Sequence, residues 1–358
     1  MARGAAIPEK VARCCEAAAF GDATWSHVLA EIAAGAGGSR GMLLGANGTG
    51  RYSYSCMIGH DPDLARTYNE YYNRYDPRAA PSLGVRPGET RLGQALMPNA
   101  AFAHTEYFDA ISVKGDVADS VFGVISDDPE MGRRTVSVQR GFAQDFFGAR
   151  EADYLRAVLP ALDTAMRQSL RVARVTAEER GGEDVLYGLL GPGLELQMLG
   201  DGQGAVHRFG PVTLATERLQ CPNRDVSAAI LRAAGTAYDG GSASLRCGPV
   251  SLRFDPLPPA LEWYRHDRRQ VFLTVARIAA VAQPDLALFA ESFGLTPREA
   301  NVLAALCVED TVSLAAVRLG MATETARWHA KNICAKTGHA GVRRLVDAAR
   351  ANDLSNLA

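Results

Sequence analysis

The sequence predicts a multidomain chain in three parts: an N-terminal mixed α/β domain, a second, smaller α/β domain dominated by strands, and a C-terminal all-α bundle of four short helices. Three observations carry this expectation. The chain has 358 residues, more than one hydrophobic core usually serves. Strand-like and helix-like stretches alternate through the first two parts, and from Leu295 onward only helical patterns occur. The segment AEERGGED at 177–184 has the charge and glycine content of a linker. The expected domains are 1–176, 185–282 and 288–358.

In the first part, Thr24 caps a helix WSHVLAEIAAGAG, whose Trp25, Val28, Leu29 and Ile32 recur at helical spacing. GMLLG and RYSYSCMIG flank Asn47-Gly48, a dipeptide suited to a hairpin turn, and ADSVFGVIS and RTVSVQR enclose a second turn at DDPEMGR. Between the hairpins Asp61 caps and Pro62 starts a helix DPDLARTYNEYYNRY, expected to run to Asp76-Pro77 with Leu64, Tyr68, Tyr71, Tyr72 and Tyr75 on one broad face. The region closes with EADYLRAVLPALDTAMRQSLRVARV. Its apolar stripe runs from Leu155 to Leu170, with a kink expected near Pro160.

In the second part, DVLYGLL, ELQMLG, SASLRCG, VSLRFDP and VFLTVARIA read as strands and DVSAAILRAAGTAY as a helix. No sequence repeat links it to the first part, so any kinship between them is structural. In the third part, Thr296, Pro297 and Glu299 form a capping box at the start of LTPREANVLAALC. TVSLAAVRLG follows and stops at Gly320, and MAT turns the chain into TETARWHAKNICAKTG. HAGVRRLVDAARAN makes the last helix. That spacing is a helix-turn-helix.

Bulk properties bound the chemistry. With 47% hydrophobic and 22% charged residues the composition is that of a folded globular protein. A net charge of −2 excludes nucleic-acid binding by overall basicity, so any DNA contact has to come from a local cluster. The seven cysteines show no C-x-x-C or zinc-finger spacing and are expected as free thiols, with redox sensing at Cys14-Cys15 the alternative. No stretch approaches the ~20 apolar residues that span a bilayer and the N-terminus has no signal-peptide core, so a cytoplasmic location without membrane contact is expected. The seven histidines are scattered, and GDGQG at 200–204 lacks the following helix and Lys-Ser/Thr of a phosphate loop. An enzyme is not expected, nor a cofactor or metal site.

The third helix of the C-terminal bundle anchors Ala326, Ala330 and Ile333 on one face and projects Arg327, Lys331 and Lys336 from the others. Arg327 and Lys331 stand four apart on one ridge, where they can donate to guanine O6 and N7 or to phosphates. Trp328 offers an apolar edge to a thymine methyl, and Thr325 can bond a phosphate. The run LTPRE, VL, RLGMATETARWH, NI, KTG and RRLV, from Leu295 to Val346, resembles the LuxR/GerE-type DNA-binding domain of bacterial regulators. The resemblance implies double-stranded DNA as partner, with Thr325, Arg327, Trp328, Lys331 and Lys336 as its contacts, a homodimer through the fourth helix, and RNA polymerase as a candidate partner. The chain departs from the family at Glu309, Asp310 and Thr311, where Gly and Ser or Thr are common, at Leu314, where Glu is usual, and at Ala326, commonly Val. Two carboxylates there would weaken phosphate contact.

More loosely, the N-terminal region resembles the GAF- or PAS-like sensors that precede this domain, through the aromatic helix ending in YDPR and the closing LRAVLPALDTAM. The middle region resembles a degenerate PAS-type domain. The resemblance implies a small-molecule effector. Tyr54, Tyr68, Tyr72 and Asp76 are the candidate pocket residues, although such aromatics are more often core. Helix 151–175 is the expected transmitter. The alternative is a ligand-independent or partner-dependent regulator whose N-terminal domains serve dimerisation or protein contact.

Overall fold

The computed structural model of the chain describes residues 8–351 apart from 47–51, 130, 183–184, 201–204, 210–211, 216, 222, 248, 265–268, 278–285 and 310; of residues 46 and 52–55 only the backbone is described. The chain divides into two compact units, Met1–Thr176 with Leu257–Gln270, and Ala177–Pro256 with Val271–Ala358.

The first unit is built on a five-stranded antiparallel sheet of β1 (Arg40–Ala46), β2 (Tyr52–Ile58), β3 (Thr90–Leu92), β4 (Asp119–Asp128) and β5 (Gly132–Arg140), in the order β2-β1-β5-β4-β3. Both expected hairpins are present as β1–β2 and β4–β5. The Asn47-Gly48 turn lies outside the described residues.

Strand residues alternate between two faces. One face carries Met42, Leu44, Ser120, Phe122, Thr135, Ser137 and Gln139. On the other, Val121, Val136 and Val138 are fully buried. Two helices press on that second face: α2 (Trp25–Gly35), capped as expected by the Thr24 hydroxyl, which accepts from the His27 amide, and α7 (Ala149–Gly181). Their approach needs glycine. A Cβ on Gly41 would stand 3.0 Å from Leu29 Cγ, and one on Gly123 2.9 Å from Leu159 Cδ2.

A further helix, α1 (Glu9–Phe20), was not foreseen; its Val11, Cys15, Ala18 and Ala19 are buried. The crossover from β2 to β3 begins with α3 (Pro62–Glu70), capped by Asp61. It ends five residues before the expected Tyr75, followed by a 3₁₀ turn at Tyr72–Arg74. The cause is local: the Asn73 amide donates to the Asn69 carbonyl at 2.8 Å and Arg74 Nη2 to that of Glu70 at 3.1 Å, satisfying the helix end from its own next turn. Tyr71 and Tyr75 are consequently exposed rather than part of an apolar face. Short helices α4 (Ala79–Ser82), α5 (Gly93–Leu96) and α6 (Asn99–Phe102) and a π-helical turn at Phe108–Val113 complete the segment.

α7 is one continuous 33-residue helix through Pro160, so 177–181 is helical where a linker was expected. Leu155, Val158, Leu159, Leu162, Ala165, Met166 and Leu170 are buried along it.

The 257–270 segment, expected within the second domain, belongs to the first unit. A 3₁₀ helix at Pro259–Tyr264 brings Trp263 into the core. Its indole N–H donates to Ser169 Oγ at 2.8 Å and its ring lies 6.0 Å from that of Trp25, whose own indole donates to the Ala260 carbonyl at 2.9 Å.

The second unit holds a five-stranded antiparallel sheet of β6 (Leu186–Leu190), β7 (Leu196–Leu199), β11 (Ala243–Cys247), β12 (Val250–Pro256) and β13 (Val271–Arg277). All five were expected. Between β7 and β11 come a small sheet not foreseen, β8 (His207–Phe209), β9 (Val212–Ala215) and β10 (Arg218–Gln220), and the expected helix α8 (Arg224–Tyr238). α8 buries Val226, Ile230 and Ala234 against the larger sheet.

That larger sheet runs β7-β6-β13-β12-β11. Counted in chain order within each sheet, it and the first sheet have the same order, 2-1-5-4-3, with the helical crossover at the same place between the second and third strands. The structural kinship that sequence comparison does not reveal is present in topology.

The C-terminal part is helical: α9 (Ala287–Ser292), unforeseen, then the expected α10 (Pro297–Val308), α11 (Val312–Arg318), α12 (Thr323–Thr337) and α13 (Val342–Ala351). Phe289, Val302, Leu303, Leu306, Ala315, Ala330, Ile333 and Leu345 form its core. The capping box of Thr296 and Glu299 is formed on both sides. Among the described residues no single helix is long and apolar enough to cross a membrane.

Trp263→Ala should remove the largest buried ring that the 257–270 segment supplies and lower stability by about 3–5 kcal/mol, measured by chemical denaturation followed through far-UV circular dichroism.

Candidate functional site

Two features carry chemistry. The first is a cavity in the first unit between the Met42/Ser137/Phe122 face of the sheet and the β2–β3 crossover, with about 880 Å³ of space between atoms, its open mouth included. Its walls are mostly apolar: Leu44 and Met42 from β1, Leu64 and Tyr68 from α3, Phe102, Tyr107 and Ile111 from the crossover, Phe122 from β4. Registry across the sheet puts Ser137 opposite both Met42 and Phe122, and Thr135 opposite Leu44. The result is a polar row along β5 in an otherwise oily floor, the composition of a small-molecule site.

Five charged or titratable groups among the described residues bear on the cavity, His60, Tyr68, Asp76, Arg78 and Tyr107. Asp76 accepts from the Tyr68 hydroxyl at 3.2 Å and from the Arg78 backbone amide at 2.9 Å. Burial pushes its carboxyl above the usual carboxylate value, against these hydrogen bonds and the Arg78 charge, which pull it down. The Arg78 guanidinium lies over the Phe102 ring, 3.8 Å from its centroid, and Nη1 donates to Ser120 Oγ at 3.2 Å. Burial lowers its pKa, opposed by the charges of Asp76, Tyr107 and Asp119. His60 is held neutral: burial takes its pKa down to about 4, only partly offset by a hydrogen bond with Gln139, and the Arg40 charge adds to the lowering. Tyr107 makes a further hydrogen bond to Asp76.

Of the four expected pocket residues, Tyr68 and Asp76 line the cavity. Tyr72 does not; its hydroxyl donates to Glu106 at 3.1 Å on the outer side of the crossover. The Tyr54 side chain lies outside the described residues. Sequence reading missed Arg78, two residues beyond Asp76, and the β5 row. The signal for that row is present in RTVSVQR, where Thr135, Ser137 and Gln139 alternate with Val136 and Val138. Such alternation ordinarily means a solvated face.

The second feature is α12. Ala326, Ala330 and Ile333 are buried beneath it, whereas Thr325, Arg327, Trp328 and Lys331 face outward, Trp328 at 60% exposure. Arg327 bonds the Glu324 carboxylate one turn back, and its Nη2 stands 3.4 Å from Asp225 Oδ2 in the first turn of α8. Asp225 Oδ2 also accepts from Ser313 Oγ at 3.0 Å, and Leu314 of α11 is buried in the core cluster of the second sheet. Lys331 has no ion-pair or hydrogen-bond partner among the described residues.

Lys336 is engaged within the fold. Its ammonium is 2.7 Å from Glu299 Oε2 and 3.2 Å from the Gly294 carbonyl, tying α12 to the start of α10. Burial pushes the Glu299 carboxyl up, but the hydrogen bonds from Lys336 and Thr296 outweigh it and hold it below the usual value. Glu309 is buried and accepts from Arg318 Nη1 at 3.2 Å, so its charge is compensated inside the fold; Asp310 lies outside the described residues. Among the described residues no group of three or more His, Cys, Asp or Glu is placed to hold a metal ion.

No family model and no curated protein matches the chain. Among solved structures it is similar to the ligand-binding domain of VqsR from Pseudomonas aeruginosa, at 19% identity over 45% of this chain and 93% of that one with a TM-score of 0.34. It is also similar to the complex of phage VqmA with DPO, at 17% identity over 51% of this chain and 90% of that one with a TM-score of 0.22. Both likenesses are distant.

The neutral His60 sets a pH dependence. In the unfolded chain it takes up a proton below its ordinary value of 6.5, whereas the folded protein resists until about 4, so stability falls as pH drops through that window. Between pH 7 and pH 5, urea denaturation should show the wild type losing about 2 kcal/mol more than His60→Asn.

Proposed function

We propose that this chain is a bacterial transcription regulator, a binding protein rather than an enzyme, that grips double-stranded DNA through α12 and responds to a small molecule in the first-unit cavity. The observation that carries this is the helix pair α11–α12 joined by a tight turn, with Thr325, Arg327, Trp328 and Lys331 outward on the second helix and Ala326, Ala330 and Ile333 inward. An α-helix presenting two cations four residues apart beside an exposed indole suits the major groove. The likeness of Leu295 to Val346 to the LuxR/GerE type supports the same assignment. Lys336, occupied by Glu299, is assigned to holding the helix rather than to DNA.

We assign three domains: 1–176 as a GAF/PAS-like sensor, 185–282 as a second PAS-like domain with 257–270 given over to the first unit, and 288–358 as a LuxR-type helix-turn-helix. The strand order common to the two sheets supports treating the first two as one architecture used twice. The regulator is proposed to act in the cytoplasm as a homodimer, setting the spacing of two α12 helices, with RNA polymerase as a further partner. A second reading, in which DNA binding depends on a partner or ligand, is favoured by one contact: Asp225 occupies Arg327, the central cation of α12.

Selection from random-sequence duplexes with the purified protein should enrich paired half-sites. Arg327→Ala with Lys331→Ala should weaken binding to the enriched site about a hundredfold or more, each groove contact contributing about 1–3 kcal/mol, and flatten its salt dependence. Failure of folded wild type to enrich any sequence, with and without cell extract, would overturn the assignment. Asp225→Asn should raise affinity for the same site up to about fivefold by releasing Arg327, read by fluorescence anisotropy. Lys336→Ala should instead lower thermal stability by leaving the buried Glu299 carboxylate short of a partner.

A further inference from the structure

Resting on the sensor assignment above, the geometry points to a chemical class of ligand: we infer that the cavity takes a small carboxylic acid with an apolar body, its carboxylate clamped by Arg78. Two of the three guanidinium nitrogens of Arg78, Nε and Nη2, are buried and have no hydrogen-bond partner among the described residues. The third, Nη1, is committed to Ser120 Oγ at 3.2 Å. Buried donors are nearly always satisfied in native proteins, and a group that breaks this rule inside a cavity marks where a partner belongs.

The orientation is held from several sides. Phe102 stacks on the guanidinium plane at 3.8 Å. Gly93 leaves room for it: a Cβ there would stand 2.6 Å from Ser120 Oγ and 3.0 Å from Arg78 Nη1. Asp76 does not take the free donors; its oxygens accept from the Arg78 backbone amide and the Tyr68 hydroxyl. Asp119 Oδ2 accepts from the Phe147 amide at 2.7 Å, and its Oδ1 makes no hydrogen bond to Arg78 among the described residues. The two free N–H groups form one edge of a planar fork, the edge that matches the two oxygens of a carboxylate.

The remainder of the cavity defines the rest of the ligand. Leu44, Leu64, Ile111 and Phe122 supply apolar wall, and His60 beside them is neutral, so the body is uncharged and mostly hydrocarbon or aromatic. Thr135, fully buried on β5 with its hydroxyl unpartnered among the described residues, offers one hydrogen bond to a second polar atom on that body. The cavity holds far more than one water and suits a compact molecule rather than a long chain.

The test is a screen of the full-length protein by saturation-transfer NMR. The library is one of small carboxylic acids, benzoate, phenylacetate, indole-3-acetate and hexanoate among them, each paired with its primary amide, and binders are followed by calorimetry. The inference expects acids that bind at least about tenfold more tightly than their amides, and a similar loss in Arg78→Lys, which keeps the charge but not the fork. The acid–amide comparison is made on the wild type and stands even where an Arg78 variant fails to fold. Amides that bind as well as acids would overturn the carboxylate clamp and leave a ligand-sensing cavity. Absence of any binder of either kind would overturn the clamp and the sensor assignment together, while the DNA selection would still report on α12.

Discussion

The indole of Trp263 is the element on which the first unit depends. It is fully buried, its N–H satisfied by Ser169 on α7 and its ring set against Trp25 at the start of α2. A buried indole N–H without an acceptor is costly, so the hydroxyl of Ser169 and the position of the ring specify each other. The same segment supplies the Ala260 carbonyl to the Trp25 indole and the Glu262 carboxylate to the Trp25 backbone amide, and Arg134 of β5 lies 4.2 Å from the Tyr264 ring centroid. One excursion of chain, entering between β12 and β13, thus fixes α2, α7 and β5 together.

With one face of the sheet closed by α2, α7 and this segment, the other face is left to the β2–β3 crossover, and the crossover does not fill it. Short helices, a 3₁₀ turn and a π-helical turn follow one another there because Asn73 and Arg74 cap α3 early. A long helix would have packed flat on the sheet. A series of short pieces leaves space, and Asp76 organises its rim by collecting hydrogen bonds from Tyr68, Tyr107 and the Arg78 backbone. The consequence is a cavity with a neutral imidazole and a hydrogen-bonded carboxylate, in which, among the described residues, two donors of the Arg78 guanidinium, the Thr135 hydroxyl and the Gln139 Oε1 have no partner.

In the second unit the sheet repeats the topology of the first, and its helical crossover is put to a different use. α8 is well packed on the sheet, and its first turn meets the C-terminal helices through Asp225, which holds both Ser313 and Arg327. Arg327 is the residue for which DNA and α8 compete in the proposed function. An exposed ion pair of this kind is worth little in absolute terms, which suits a contact that has to be exchanged for another.

Elements whose information is local were legible in the amino-acid sequence. Thr24, Asp61, Thr296 with Glu299, and the glycines 320 and 338 mark helix ends through bonds made within a few residues, and five strands of the second sheet follow from short apolar runs. The buried and exposed faces of α12 follow from helical period alone. What only the tertiary structure decided is every matter set by partners distant in the chain. Lys336 is paired with Glu299, 37 residues away, and Trp263 is drawn into a core 94 residues upstream at Ser169. Alternating Thr135, Ser137 and Gln139 look like a solvated strand face and instead floor a cavity, because period two specifies that a strand has two faces without specifying what covers each.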